Sequence, residues 1–183
     1  MTRVLISGEG GQGVRVISHV MATLLGNLGY EVSLLFDYDS SVRGAFSVAH
    51  LTFDREPIDN PVILDADILL ELSHKAGELH AKKTVSETGL SGDEEIPFSH
   101  LGTEEFGKAI FGNMIALGHL LKLLHLEAAD EELAAALPLK YQQENLDAVH
   151  FGYNLKQQDL QRGYMSRKRR KTTPKSRGRG HKA

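Results

Sequence analysis

The stretch Val4-Leu5-Ile6-Ser7-Gly8-Glu9-Gly10-Gly11-Gln12-Gly13-Val14 decides how this chain is read. Three consecutive apolar residues suit a strand buried on both faces of a parallel sheet. Gly8, Gly10 and Gly13 then give the G-x-G-x-x-G spacing of a tight strand-to-helix turn. Behind it Val14, Ile17, Val20, Met21, Leu24 and Leu25 recur at helical spacing, and Gly26 and Gly29 stand where that helix can stop. A glycine turn at a helix start exposes backbone N–H groups, and the helix dipole behind them favours an anion by roughly 0.3–1 kcal/mol. Three readings stay open on these residues alone: a nicotinamide or flavin site, another phosphate cradle, or a turn that only packs a helix on a sheet.

Working outward, Glu31–Phe36 forms the second predicted strand. Asp37 follows it, where a dinucleotide site would hold a ribose hydroxyl. Residues 37–46, D-Y-D-S-S-V-R-G-A-F, form a polar loop at the strand's carboxyl end, where α/β sheets place binding residues. Ser47–Phe53 and Ala66–Leu72 read as further strands, residues 73–84 as a short helix, and 85–100 as one weak strand with a loop. Leu101–Leu126 is the longest helical segment, with Thr103 as its N-cap. Its Gly107, Gly112 and Gly118 imply either close backbone packing or a break near Gly112. Pro138 separates further helical material that ends near Tyr153. These elements predict an α/β fold: a three-layer sandwich with a mostly parallel, Rossmann-like sheet flanked by helices. Residues 1–164 form one domain in this reading, and 165–183 a basic, disordered tail.

Composition bounds the function. At 183 residues with 41% apolar and 25% charged content, this is an ordinary globular chain with a core able to stand alone. Met1-Thr2-Arg3 leads directly into the first strand, and no apolar run approaches the roughly 18 residues of a bilayer span; a cytoplasmic protein is expected. There is no cysteine, which excludes disulfides, thiolate metal sites, a Cys nucleophile and a Cys-ligated iron–sulfur cluster on this polypeptide. The net charge of −3 conceals an acidic body and a basic end. The last 19 residues hold 9 of the 21 Lys/Arg and no acid, so residues 1–164 carry 12 cations against 24 acids. Only the tail could touch a nucleic acid, non-specifically through phosphates, or an acidic protein partner. His19, His50, His119 and His125 are scattered, and no metal site or catalytic constellation is expected.

The longer run G-E-G-G-Q-G-V goes beyond the dinucleotide pattern through Gly11 and Gln12. It resembles the opening of the gamma subunit of the 2-oxoacid:ferredoxin oxidoreductases, which act on pyruvate, 2-oxoglutarate, ketoisovalerate or indolepyruvate. Four landmarks continue the resemblance in order. Tyr38 with Arg43-Gly44 is similar to the family's Y-G-P-E-x-R-G-G loop. Glu56-Pro57-Ile58 and Pro61 resemble its turn, Asp67–Leu72 its D-x-L-I-A-L strand, and Asn113–Gly118 its N-M-x-A-L-G helix. Together they cover about residues 3–153. Ser40-Ser41 and Ala45 depart from the loop, which here lacks the family's carboxylate, and the tail has no counterpart.

The resemblance implies a chain without activity of its own, one subunit of a thiamine-dependent complex. That complex would convert a 2-oxoacid, coenzyme A and oxidised ferredoxin to acyl-CoA, carbon dioxide and reduced ferredoxin. Thiamine diphosphate, Mg and iron–sulfur clusters would sit on alpha, beta and delta partner subunits, leaving this chain shape, closure and anion contacts. The residues implied for phosphate or coenzyme A contact are Gly8, Gly10, Gly11, Gln12, Gly13, Tyr38, Arg43 and Gly44. A partner-covered patch is expected around Ala45-Phe46 and the Asn113 helix. The alternatives are a stand-alone Rossmann-type NAD(P) or flavin oxidoreductase, and a regulatory module reusing the domain.

Overall fold

The structure, a computed structural model, describes residues 1–39, 46–73, 79–156 and 158–160, with the side chains of Tyr38 and Asp39 also outside the description. Arg43, Gly44 and the tail from 165 therefore lie outside the described residues, as do residues 74–78 of the helix expected over 73–84.

Among the described residues six strands form one sheet: β1 (Thr2–Glu9), β2 (Glu31–Asp39), β3 (Phe46–Asp54), β4 (Ala66–Glu71), β5 (Ala81–Glu87) and β6 (Glu94–Ile96). Their spatial order is β2-β3-β1-β4-β5-β6. The pairs β1–β4, β4–β5 and β5–β6 are parallel, and only β3 among these strands runs against the rest, antiparallel to both β1 and β2. The sheet is thus mostly parallel, with a reversed strand between the two arms of the first βαβ unit. Residues 81–84, expected as helix, are strand. Their segment A-K-K-T-V-S-E lies in parallel register beside β4, and that pairing outweighs the helical tendency of its alanine and lysines.

Among the described residues five helices flank the sheet: α1 (Val14–Asn27), α2 (Phe98–Phe106), α3 (Gly112–Leu123), α4 (Asp130–Ala136) and α5 (Gln142–Tyr153). Each contributes to a single large core, in which Ile17, Met21, Leu24, Leu25, Ile115 and Leu117 meet Val4, Ile6, Ala49, Leu51 and Leu70 of the strands. The alternating strand residues turn to the other face, where Leu5, Phe46, Val48 and Leu69 gather under Ile63 in a smaller cluster.

The long helical segment is broken, and at Gly107 rather than Gly112. Gly107 adopts φ 75° and closes α2, and a 3-10 turn at Ala109–Phe111 leads into α3. Thr103 is inside α2, its hydroxyl donating back to Ser99 O at 2.9 Å, so it is not a cap. The start of α2 is held instead by Glu87, which accepts from Ser99 N at 3.0 Å and Ser99 Oγ at 2.9 Å. A carboxylate from β5 does what the local sequence was expected to do. Gly118 and Gly152 let α3 and α5 touch backbone to backbone: a Cβ on either would overlap a carbonyl of the other helix.

Candidate functional site at the glycine turn

β1 ends at Glu9, and after four intervening residues α1 begins at Val14. Gln12 N closes a turn on Glu9 O at 3.1 Å, and Gly13 serves as the N-cap of α1 with φ 83°. No side chain caps α1, and its first turn contains no acid. Its leading N–H groups thus keep their capacity for an external acceptor. Gly11, at φ 88°, is also left-handed, but a Cβ there would meet nothing within 4 Å. Only conformation demands glycine at that position. At Gly13 conformation and space both demand it, because a Cβ would overlap the side-chain amide of Asn113.

The turn is fastened to β4. Gln12 Oε1 accepts from Glu9 N at 2.7 Å, and Nε2 reaches Leu72 O at 3.4 Å. Glu9 N also donates to Ser73 Oγ at 2.9 Å, and Leu72 N to Ser7 O at 2.8 Å. Gln12 therefore spends its carbonyl oxygen and one amide contact inside the fold, a use that the motif itself did not reveal. From β1 the chain crosses to one side of the sheet, while β4 and β5 extend the other. The carboxyl ends of β1 and β4 thus form a crevice of the kind in which α/β sheets bind ligands. A cavity of about 270 Å³ lies there, lined by Gly11, Gln12, Leu72, Phe98, Ser99 and Asn113, among others. The one carboxylate that lines it among the described residues, Glu87, is the group that holds α2. Asn113, half-buried in the first turn of α3, borders this cavity and a larger one on the other flank of the turn.

Not every expected site residue converges here. Gly8, Gly10, Gly11, Gln12 and Gly13 lie in one continuous segment, whereas Tyr38 is the penultimate residue of β2. In register, Tyr38 aligns with Ser47 of β3, and Ser47 with Gly8 of β1. Two strand spacings, about 9.6 Å, separate the backbone of Tyr38 from the turn. Asp37 is displaced in the same way, aligned with Ser7 through Val48, and its carboxylate sits 2.9 Å from His50 Nε2. A dinucleotide spanning adjacent strands from the glycines to the ribose acid finds β3 in its path. Of the expected patch, Ala45 lies outside the described residues and Phe46 is 6% exposed, buried in the smaller cluster, while Asn113 and Met114 of α3 do border a cavity.

Titration is perturbed away from the turn. His119 of α3 is 6% exposed, with Nε2 at 3.2 Å from Glu94 Oε1 of β6 but outside hydrogen-bond geometry. Burial pushes its pKa below the ordinary value, against the pull of the Glu94 charge. Among the described residues no group of three His, Asp or Glu could hold a metal, and no helix is long and apolar enough to cross a membrane.

The chain is similar to known proteins over most of its length. The family model described as pyruvate ferredoxin/flavodoxin oxidoreductase matches residues 3–155. The 2-oxoglutarate synthase subunit KorC of Archaeoglobus fulgidus is 29% identical over 161 residues, covering 83% of this chain and 86% of that protein. The gamma subunit of keto/oxoacid ferredoxin oxidoreductase from Geobacter sulfurreducens superposes with a TM-score of 0.64 at 19% identity, over 84% of this chain and 96% of that one. A 2-oxoglutarate:ferredoxin oxidoreductase from Magnetococcus marinus, solved with 2-oxoglutarate, coenzyme A and succinyl-CoA bound, superposes at 0.67 and 19% identity over 83% of this chain but 30% of that longer one.

Proposed function

The chain belongs to the pyruvate ferredoxin/flavodoxin oxidoreductase family, and from that premise we propose that it is the gamma subunit of a thiamine-dependent 2-oxoacid:ferredoxin oxidoreductase of the cytoplasm. The match over residues 3–155 carries the reading. Its relatives of similar length, 2-oxoglutarate synthase subunits, favour 2-oxoglutarate as the acid the complex oxidises. The complex would form succinyl-CoA and carbon dioxide and pass two electrons to ferredoxin. Thiamine diphosphate and the clusters supply that chemistry when bound. Residues of this chain do not suit a cluster, since it has no cysteine; they belong to the alpha, beta and delta partners.

What this chain's residues do suit is an anion. Gly11 and Gly13 hold left-handed backbone at an uncapped helix start without an acid in its first turn, the chemistry of a phosphate cradle. We assign the turn, with Arg43 and Gly44 from the following loop and Tyr38 at the end of β2, to the pyrophosphate of coenzyme A. The guanidinium of Arg43 would make a charged, bidentate contact worth roughly 1.5–3 kcal/mol. In the assembled complex, Arg43→Ala is expected to raise KM for coenzyme A by about 10- to 150-fold, with KM for the 2-oxoacid little changed. An unaltered KM for coenzyme A sinks the phosphate assignment. Co-purification of the tagged chain with alpha and beta subunits tests the subunit reading separately, and a chain recovered alone from its native cells sinks it.

A further inference from the structure

On the flank of the turn away from the β1–β4 crevice, α1, α3 and the start of α5 enclose a second cavity of about 500 Å³. Gly10, Gly11 and Gly13 of the turn form one side of it, and the rest of its wall is mainly apolar: Val14, Val16, Ile110, Phe111, Met114 and Pro138. Two of these face water, Val16 at 40% exposure and Ile110 at 59%. Tyr141 lines the cavity at 38%, and Leu139, between the lining residues Pro138 and Lys140, is 86% exposed. Three of the eight large exposed apolar side chains among the described residues, Val16, Ile110 and Tyr141, therefore line this one cavity. Scattered exposed apolar residues need no explanation, but a gathered patch beside a cavity marks a docking site.

The rim has a charge opposite to that of the body. Residues 1–164 carry twice as many acids as cations, yet Arg15 and Lys140 line this cavity. Lys108 joins them by donating to Tyr141 Oη at 3.0 Å and lying 4.1 Å from its ring centre. Among the described residues Glu9 is the one acid in the lining, and Glu144 lies in the first turn of α5. The starts of α1, α3 and α5 all border the space without side-chain caps, and their dipoles add to the positive potential. An apolar pocket with a cationic rim is the complement of an apolar side chain flanked by carboxylates.

We propose that this cavity receives an apolar side chain, set between acidic residues, from a partner subunit of the same oxidoreductase. The inference rests on the subunit reading above and adds the place and chemistry of the contact. Because the chain has no cysteine, Ile110→Cys and Val16→Cys each create a unique thiol at an exposed position that tolerates substitution. In the isolated chain a maleimide should label both quickly. In the complex assembled with the alpha and beta subunits, labelling should slow by at least about tenfold, the scale of a contact buried at the centre of an interface. Lys140→Glu should weaken association with those subunits by about tenfold at low salt, and the difference should shrink at high salt. A stable complex whose thiols label as fast as in the free chain overturns the docking and leaves the subunit reading intact. Failure of the wild-type chain to form any complex overturns both. Protection of the thiols in the free chain by coenzyme A, without protection by the partners, would make the cavity a small-molecule site and overturn the docking.

Discussion

Gly13 carries two demands at once, a left-handed backbone and close approach of Asn113. Gly11 carries the first alone. Gly11→Ala should therefore cost about 1–2 kcal/mol, the left-handed penalty of a residue with a Cβ. Gly13→Ala should cost about 2–4 kcal/mol, because an overlap is added to the same penalty. Urea denaturation of the isolated chain would read both. Asn113→Ala in the Gly13→Ala background should recover the overlap part, as expected of two residues in contact. Equal losses for the two glycines would show that Asn113 yields freely. The glycines themselves are legible in the sequence, because left-handed backbone has a residue signature. The use of Gln12 is not: its bond to Leu72 O spans sixty residues, and nothing local to Gln12 announces it.

At the scale of elements, β6 is the weakest strand, three residues long at the edge of the sheet. Side-chain contacts supplement its backbone pairing. Glu94 lies 3.1 Å from Lys83 Nζ of β5 and 3.2 Å from His119 of α3. Burial alone would raise the Glu94 pKa, but His119 and Lys83 outweigh it and hold it below the ordinary value. Burial holds the His119 pKa down. The signs agree. The unfolded chain takes up protons on His119 below its ordinary pKa of 6.5 while the folded chain resists. Stability from Glu94, present above its ordinary pKa of 4.5, is lost as pH falls through its lowered folded value. Acid should thus weaken the α3–β6 contact, beginning below about pH 6.5. His119→Leu should flatten the fall in stability between pH 7 and 5, as measured by denaturant midpoints. An unchanged slope would place the acid sensitivity elsewhere. Element boundaries were legible where apolar period and stop residues coincide, as in α1 and β3. They were not legible at α2, whose start is held by Glu87 from another strand, nor at β5, where pairing with β4 outweighs local propensity.

For the whole molecule, strand order separates the chain from a nicotinamide enzyme. With β3 between β1 and β2, Asp37 is two strand spacings from the turn and faces His50. Titrating NAD into the isolated chain should give no saturable heat, and the lone chain should not turn over 2-oxoglutarate with an artificial electron acceptor. Saturable binding weakened by Asp37→Ala would revive the dinucleotide reading. The sequence by itself determined the α/β class, the turn at Gly8–Gly13, the absence of a thiol-ligated cofactor and the family, because each depends on residue identity and short-range spacing. Tertiary structure decided the reversed strand beside β1, the fastening of the turn to β4, the seat of Asn113 over Gly13 and the cavity between α1, α3 and α5. Those features join residues tens of positions apart, and the balance of packing and backbone pairing that brings them together is summed over the whole core.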